Sequence, residues 1–339
     1  MKRTLLLIAL FILLGAGAWY ASRQNKSRSG GMEAPEMQFA VQNADDIYKI
    51  FIADRRGKTA TLERKDGYWL YNGQWKARPT AMENLLKTLT QVKVYYMAAK
   101  AGEKTMVETI AADGVKVEIY NRKNEKIKCY YVGGVTNDER GTYMMMEGAE
   151  VPYVTHIPSF VGQLRVRYMT GDDNWRDRAV FDVPYTDIQS VTVDYTKEKS
   201  ESFVLEKQGD AYAVRPLHST TPVLPGAPRK GIPEAYLTQF EKKIAEAYET
   251  TNTRRDSVTH LPPFVTITLK KTDGHTKTVR FWPVAVEMDP NLGTTYVERY
   301  FTDIDGKDFM LTQHLVMGIL FKGYSFFYEG SPRSAVLKN

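Results

Sequence analysis

Lys65-Asp66-Gly67-Tyr68-Trp69-Leu70-Tyr71, followed by Arg78-Pro79-Thr80-Ala81-Met82-Glu83, sets a strand hairpin directly ahead of a helix. Asp66-Gly67 is a tight-turn dipeptide, because glycine accepts the left-handed backbone that such turns require. The aromatic run after it alternates like a strand, and Thr59–Arg64 ahead of it reads as its hairpin partner. Arg56-Gly57-Lys58 marks an earlier turn, and Asp45 to Ile52 supplies another apolar alternation. Past the hairpin, Thr80 and Glu83 have capping-box spacing, in which hydroxyl and carboxylate each satisfy an orphan backbone donor. Leu85, Leu86, Leu89 and Val92 then fall on one helical face. Strand patterns resume at Val115–Asn121, Lys126–Val132, Thr142–Met146 and Val151–Thr155, and Pro158–Leu164 reads as a short closing helix.

From Asp187 the order returns. Ile188–Tyr195, Ser202–Glu206 and the turn Gly209-Asp210 into Tyr212 read as three strands. Pro233 opens a helix with Tyr236, Leu237, Phe240 and Ile244 along one side. A hairpin around Asp273-Gly274, strands at Tyr296–Thr302 and Asp308–Leu311, and a closing helix at Gln313–Leu320 follow. The first strands of the two sets start at Ile47 and Ile188, 141 positions apart. That spacing fits a duplicated domain and exceeds the roughly 20–50 residue periods of solenoids. The pattern predicts an α+β fold: two tandem repeats of a mainly antiparallel sheet with a packed helix, preceded by an N-terminal transmembrane helix. The expected segments are 1–21 as signal anchor or signal peptide, 22–44 as flexible tether, 45–183 and 184–330 as the repeats, and 331–339 as a tail. The boundary is expected near Asp182-Val183-Pro184, and residues 217–233, rich in Pro and Gly, form a long irregular loop.

Lys2 and Arg3 precede a run from Leu5 to Ala21 without a charge. As a helix, Thr4 to Ala21 would span about 27 Å, enough for a bilayer core. Two readings stand. Ala16 and Ala18 have the spacing of a signal-peptidase site, whereas Trp19 and Tyr20 extend the apolar run and suit an interfacial anchor. Either puts the body outside the cytoplasm.

The net charge of +6 is concentrated at this end, since residues 1–35 carry +4 of it. The remaining +2 is too weak for a surface that tracks phosphates, so nucleic acid is not an expected partner. The only cysteine, Cys129, lies in a strand pattern and reads as a small buried hydrophobe. His156, His218, His260, His275 and His314 show no metal-ligand spacing, and no cofactor is expected. Asp303, Asp305, Gly306 and Asp308 resemble the start of a calcium loop but lack its later bidentate glutamate, and a hairpin turn explains them better. No phosphate-binding glycine loop, nucleophile elbow or zinc-protease motif occurs, so no catalytic residue is expected. Trp69, Tyr71 and Trp75 remain as a candidate partner or ligand surface. Alternation puts Trp69 and Tyr71 on the same side, where they would receive a partner or a sugar, or else cover the sheet beneath the helix. Arg165, Arg167 and Tyr168 alternate in the same manner.

Lys65–Leu70, Pro79, and the helix with Leu85, Leu86 and Leu89 resemble the opening of the bacterial family called domain of unknown function 4340. Val115–Tyr120, Tyr131-Val132-Gly133-Gly134 read as a strand ending in a glycine turn, Thr142-Tyr143, and Val151-Pro152-Tyr153-Val154 are similar to the rest of its pattern. The resemblance covers roughly residues 45–180 well and the second half more loosely. It implies a single-pass protein of the inner membrane with its body in the periplasm, often accompanying an ABC-type transporter with gliding-motility-like auxiliary subunits. It carries over no catalytic residues. The leading expectation is thus a non-enzymatic binding or scaffold subunit of an integral-membrane complex, attached through Thr4 to Ala21. A glycan-binding protein is the rival, and a hydrolase comes third.

Overall fold

A computed structural model describes residues 34–284, 287–288 and 295–329. The apolar segment from Thr4 to Ala21 and the tail from 331 lie outside the described residues, among which no helix is long and apolar enough to cross a membrane. The chain divides into two compact units, the first ending at Asp177 and the second starting at Arg178. The division falls ahead of Asp182-Val183-Pro184 for a local reason. Ala179–Phe181 pairs with Lys243–Ile244, and the Ala245 N–H donates to the Arg178 carbonyl, which commits this stretch to the second unit.

The first unit runs β1 (Lys49–Ala53), β2 (Thr59–Lys65), β3 (Tyr68–Tyr71), β4 (Trp75–Lys76), α1 (Pro79–Gln91), β5 (Lys93–Met97), α2 (Glu103–Asp113), β6 (Val115–Tyr120), β7 (Lys126–Val135), β8 (Thr142–Met146), β9 (Tyr153–His156) and the single turn α3 (Asp172–Trp175). Its strands form one antiparallel sheet in the order β4-β3-β2-β1-β6-β7-β8-β9-β5. The second unit runs β10 (Ala179–Phe181), β11 (Ile188–Tyr195), β12 (Phe203–Gln208), β13 (Ala211–Pro216), α4 (Ile232–Leu237), β14 (Lys243–Ile244), β15 (Ala247–Tyr248), α5 (Arg255–Thr259), β16 (Val265–Lys271), β17 (Thr276–Pro283), β18 (Glu287–Met288), β19 (Thr295–Tyr296), β20 (Arg299–Ile304), β21 (Asp308–Gln313) and α6 (His314–Met317). Its main sheet is ordered β13-β12-β11-β16-β17-β20-β21-β15. From β3 and β13 onward the two orders follow one path. The offset of 141 residues also holds in detail. A 3-10 turn at Ala44–Asp46 matches one at Tyr185–Asp187, and buried Ile47, Ile50 and Ile52 match buried Ile188, Val191 and Val193.

Helix α1 packs Met82, Leu85 and Leu89 into the first core, with Val92 buried at its C-cap. The capping box does not form. Pro79 starts the helix because its fixed φ suits the first helical position, so Arg78 is the N-cap and Thr80 already lies inside the first turn. The matching helix α4 is only six residues long, continued by a 3-10 turn at Thr238–Phe240. Lys242 then takes φ +52° and reverses the chain, so Ile244 leaves the helical face for β14, where it is 49% exposed. Pro158–Leu164 is not a helix either; Ser159 and Gly162 take positive φ there, and the 3-10 turn comes later, at Arg165–Arg167. The loop at 217–233 is tied down. Arg229 N–H donates to the Phe327 carbonyl and Leu224 N–H to the Tyr324 hydroxyl. Those partners belong to the C-terminal segment, whose Phe321, Tyr324 and Phe327 are buried in the second core; Phe327 meets Phe203 and Tyr236, and Phe321 meets Phe281, edge to face.

Each sheet also carries a helix on its outer face. Gly133-Gly134 does not turn the chain; β7 runs through both glycines with a register shift between Val132 and Val135. A Cβ at Gly133 would stand 2.7 Å from Ile110 Cγ1 and 3.2 Å from the Tyr143 carbonyl oxygen. The glycine therefore admits α2, whose one buried residue is Ile110. In the second unit Trp282 stands at the corresponding place, one residue past the partner of the first residue of β16. There the shorter α5 brings Val258 onto Trp282, Phe301 and Phe309. Gly133→Ala is expected to destabilise the first unit by about 1–3 kcal/mol through overpacking. In the Ile110→Ala background the same change should cost measurably less, as urea unfolding of the four-member cycle would show.

Candidate functional site

The structure covers the three aromatics singled out from the sequence. Tyr71 is fully buried, and Trp69 and Trp75 are half-buried against the same core. Arg64 lies 5.0 Å over the Trp69 ring and Arg176 4.9 Å over Trp75, so guanidinium groups close the faces the core leaves open. Arg165, Arg167 and Tyr168 form no strand face. Tyr168 is buried with its hydroxyl 3.2 Å from that of Tyr130, and Arg167 donates to Thr88 Oγ1 at 2.9 Å.

The exposed aromatic surface lies elsewhere, on β5. Among the described residues this strand ends the sheet of the first unit and pairs with β9 alone, with a bulge between Val94 and Tyr96. Tyr95, Tyr96 and Met97 are 50%, 44% and 56% exposed. Tyr95 rests against His156, with ring centroids 4.6 Å apart, and its own plane is tilted 54° from that of Tyr96. The strand at the same place in the second sheet, β15, is two residues long and buries Tyr248. The two units thus manage this edge in opposite ways. A five-residue edge bearing three exposed large side chains is a template for a further strand.

A second cluster occupies the outer face of β6–β8. Glu118, Cys129 and Glu147 bring potential ligand atoms within 4.8 Å of one another. The carboxylates are already matched by cations, however. Lys116 Nζ lies 2.8 Å from Glu118 and Lys126 Nζ 2.7 Å from Glu147, while the Tyr120 hydroxyl donates to Glu118 at 2.6 Å. Burial, a hydrogen bond to Glu147 and its charge push the Cys129 thiol up to about 12. A metal ion would have to displace two ammonium groups and a proton, so the cluster is an ion-pair network over the sheet.

Asp194, Ser202 and His218 come together in the second unit, in an order unlike that of a nucleophilic triad. Asp194 Oδ1 is shared, 3.3 Å from Ser202 Oγ and 3.0 Å from His218 Nε2, and Ser202 Oγ accepts the Tyr195 N–H. The histidine does not stand between serine and aspartate, where a general base would. Each of the other histidines has a separate partner: His156 stacks on Tyr95, His260 meets the Asp256 carbonyl, His275 Asp273 and His314 the Tyr300 hydroxyl. Asp305 and Gly306, both at positive φ, make the β20–β21 hairpin turn, and Asp303 pairs with Arg280 at 3.0 Å.

With its thiol held protonated, Cys129 should react with a maleimide at pH 8 far more slowly in the native chain than in denaturant. Mass spectrometry of the labelled protein checks this, and fast native labelling would show the thiol to be ionised.

The model of a family described as domain of unknown function 4340 matches residues 69–254, from within β3 to beyond β15. No curated protein and no solved structure matches the chain.

Proposed function

The chain belongs to the domain of unknown function 4340 family, and we propose that it is a non-enzymatic binding or scaffold protein, an accessory subunit of an integral-membrane complex of the ABC-transporter kind. In this reading, Thr4 to Ala21 holds the chain in the inner membrane by a single pass and the body works in the periplasm. The observation that carries the docking role is the β5 edge, where Tyr95, Tyr96 and Met97 stand exposed beside backbone that no further strand among the described residues flanks. An extended segment of the partner would add as a strand there, with apolar side chains over the two tyrosines. Aromatic side chains suit such a contact because they bury large area at little rotamer cost.

The glycan reading draws less support. A sugar ring stacks on a flat aromatic platform, whereas the Tyr95 and Tyr96 planes are tilted 54° apart and Trp69 and Trp75 lie against the core.

Affinity purification of the full chain from native membranes, at near-native expression and in mild detergent, tests the proposal. Integral-membrane proteins are expected to co-purify. Tyr95→Ser combined with Tyr96→Ser should reduce their recovery about tenfold or more, since central aromatic contacts contribute about 2 kcal/mol each. Recovery of no integral-membrane partner with the unaltered chain sinks the reading.

A further inference from the structure

A cleft of about 610 Å³ opens in the first unit between the β1–β2 turn and the stretch that follows β9. One wall carries Arg55, Arg56 and Lys58, and the other Gln163, Arg165 and Asn174. Its two carboxylates are engaged. Asp54 Oδ1 accepts the backbone N–H groups of Arg56 and Lys58, each at 2.9 Å, and Oδ2 accepts the Thr170 hydroxyl at 2.7 Å. Asp113 Oδ2 accepts from Arg165 Nη2 at 3.0 Å. Burial alone would raise the Asp54 carboxyl, but the bonds from Thr170, Lys58 and Arg56 hold it below the usual carboxylate range. The same bonds fix the turn that presents the basic side chains.

The donors are in the opposite condition. Among the described residues, the Arg56 guanidinium, the Lys58 ammonium and the side-chain amides of Gln163 and Asn174 have no hydrogen-bonded side-chain or backbone partner. Arg55 only overlies the Tyr131 ring, at 5.7 Å. The lining carries four cations, Arg55, Arg56, Lys58 and Arg165, against the two carboxylates, and each carboxylate already holds donors, so the cleft is complementary to an anion. Its volume exceeds that of an atomic ion and falls in the range of small-ligand clefts, roughly 300–1,000 Å³. A guanidinium fork matches two phosphoryl oxygens, and an adjacent ammonium adds a point charge.

We propose that this cleft binds a phosphoryl group, free or carried on a lipid headgroup, through Arg56 and Lys58, with Arg55, Gln163 and Asn174 completing the donor set. The site is independent of docking at β5, and loss of either would leave the other standing.

Titration calorimetry on the full chain in mild detergent tests the site, with inorganic phosphate and dihexanoyl phosphatidylglycerol as probes at low and high salt. Saturable binding that weakens with salt is expected. Arg56→Ala combined with Lys58→Ala should weaken it about tenfold or more, the loss of roughly one charge-assisted contact. The thermal midpoint should not change, because both side chains are exposed. Asn174→Ala on the opposite wall should weaken binding as well, giving a second reading should the double variant lose its fold. Tighter binding of the lipid than of phosphate assigns the headgroup as the source, and equal binding assigns the free anion. No saturable binding of either probe, or an affinity that folded variants leave unchanged, overturns the proposal.

Discussion

In each unit the N-terminal hairpins and the C-terminal meander meet along one pair of strands that are far apart in sequence. In the first unit β1 lies against β6, with Ile50 opposite Ile119 and Ile52 opposite Val117. In the second, β11 lies against β16, with Val191 opposite Leu269 and Val193 opposite Ile267. All eight of these side chains are buried, so the seam is both the hydrogen-bonded ladder and the centre of the core. The register is strictly held, because a slip of one residue would turn these apolar groups outward. Without this pairing each sheet would separate into two hairpin sets, neither with a closed apolar face.

The edges and outer faces are where the units differ. The first keeps a long aromatic edge at β5 and admits α2 by placing glycine beneath it. The second shortens that edge to two residues and fills its outer face with Trp282, Phe301 and Phe309. Under the docking reading proposed above, a common scaffold with divergent margins would suit a division of roles, since a partner would read margins and leave the seam alone.

Much of the scaffold was legible in the sequence, and the reasons for the misses are physical. Turns such as Asp66-Gly67 and Asp273-Gly274 declare their hairpins through glycine at positive φ. The β5 strand is hidden in the sequence because it follows α1 with only Val92 between them, so the period changes with no turn residue to mark it. Helix α2 is not legible because Ile110 is its one buried residue, so the segment lacks an apolar stripe. The end of α4 is not signalled in the sequence, because Lys242 adopts positive φ without the Gly or Asn that usually announces it. At the candidate site, alternation correctly put Trp69 and Tyr71 on one side, yet it could not tell the core face from the solvent face. The Glu118, Cys129 and Glu147 cluster depends on cross-strand register, with Glu118 opposite Cys129, which no single-strand pattern contains.

The aromatic segment from 318 to 328 has a consequence for how the chain comes into being. Every strand of the first unit's sheet has been made once His156 is synthesised, so that sheet can assemble while the rest is still emerging. The second unit must wait, because Phe321, Tyr324 and Phe327 fill its core and are among the last described residues to leave the ribosome. During synthesis it spends that interval with an open apolar floor. That makes the late-arriving half the natural client of holding chaperones and the first target of quality-control proteases.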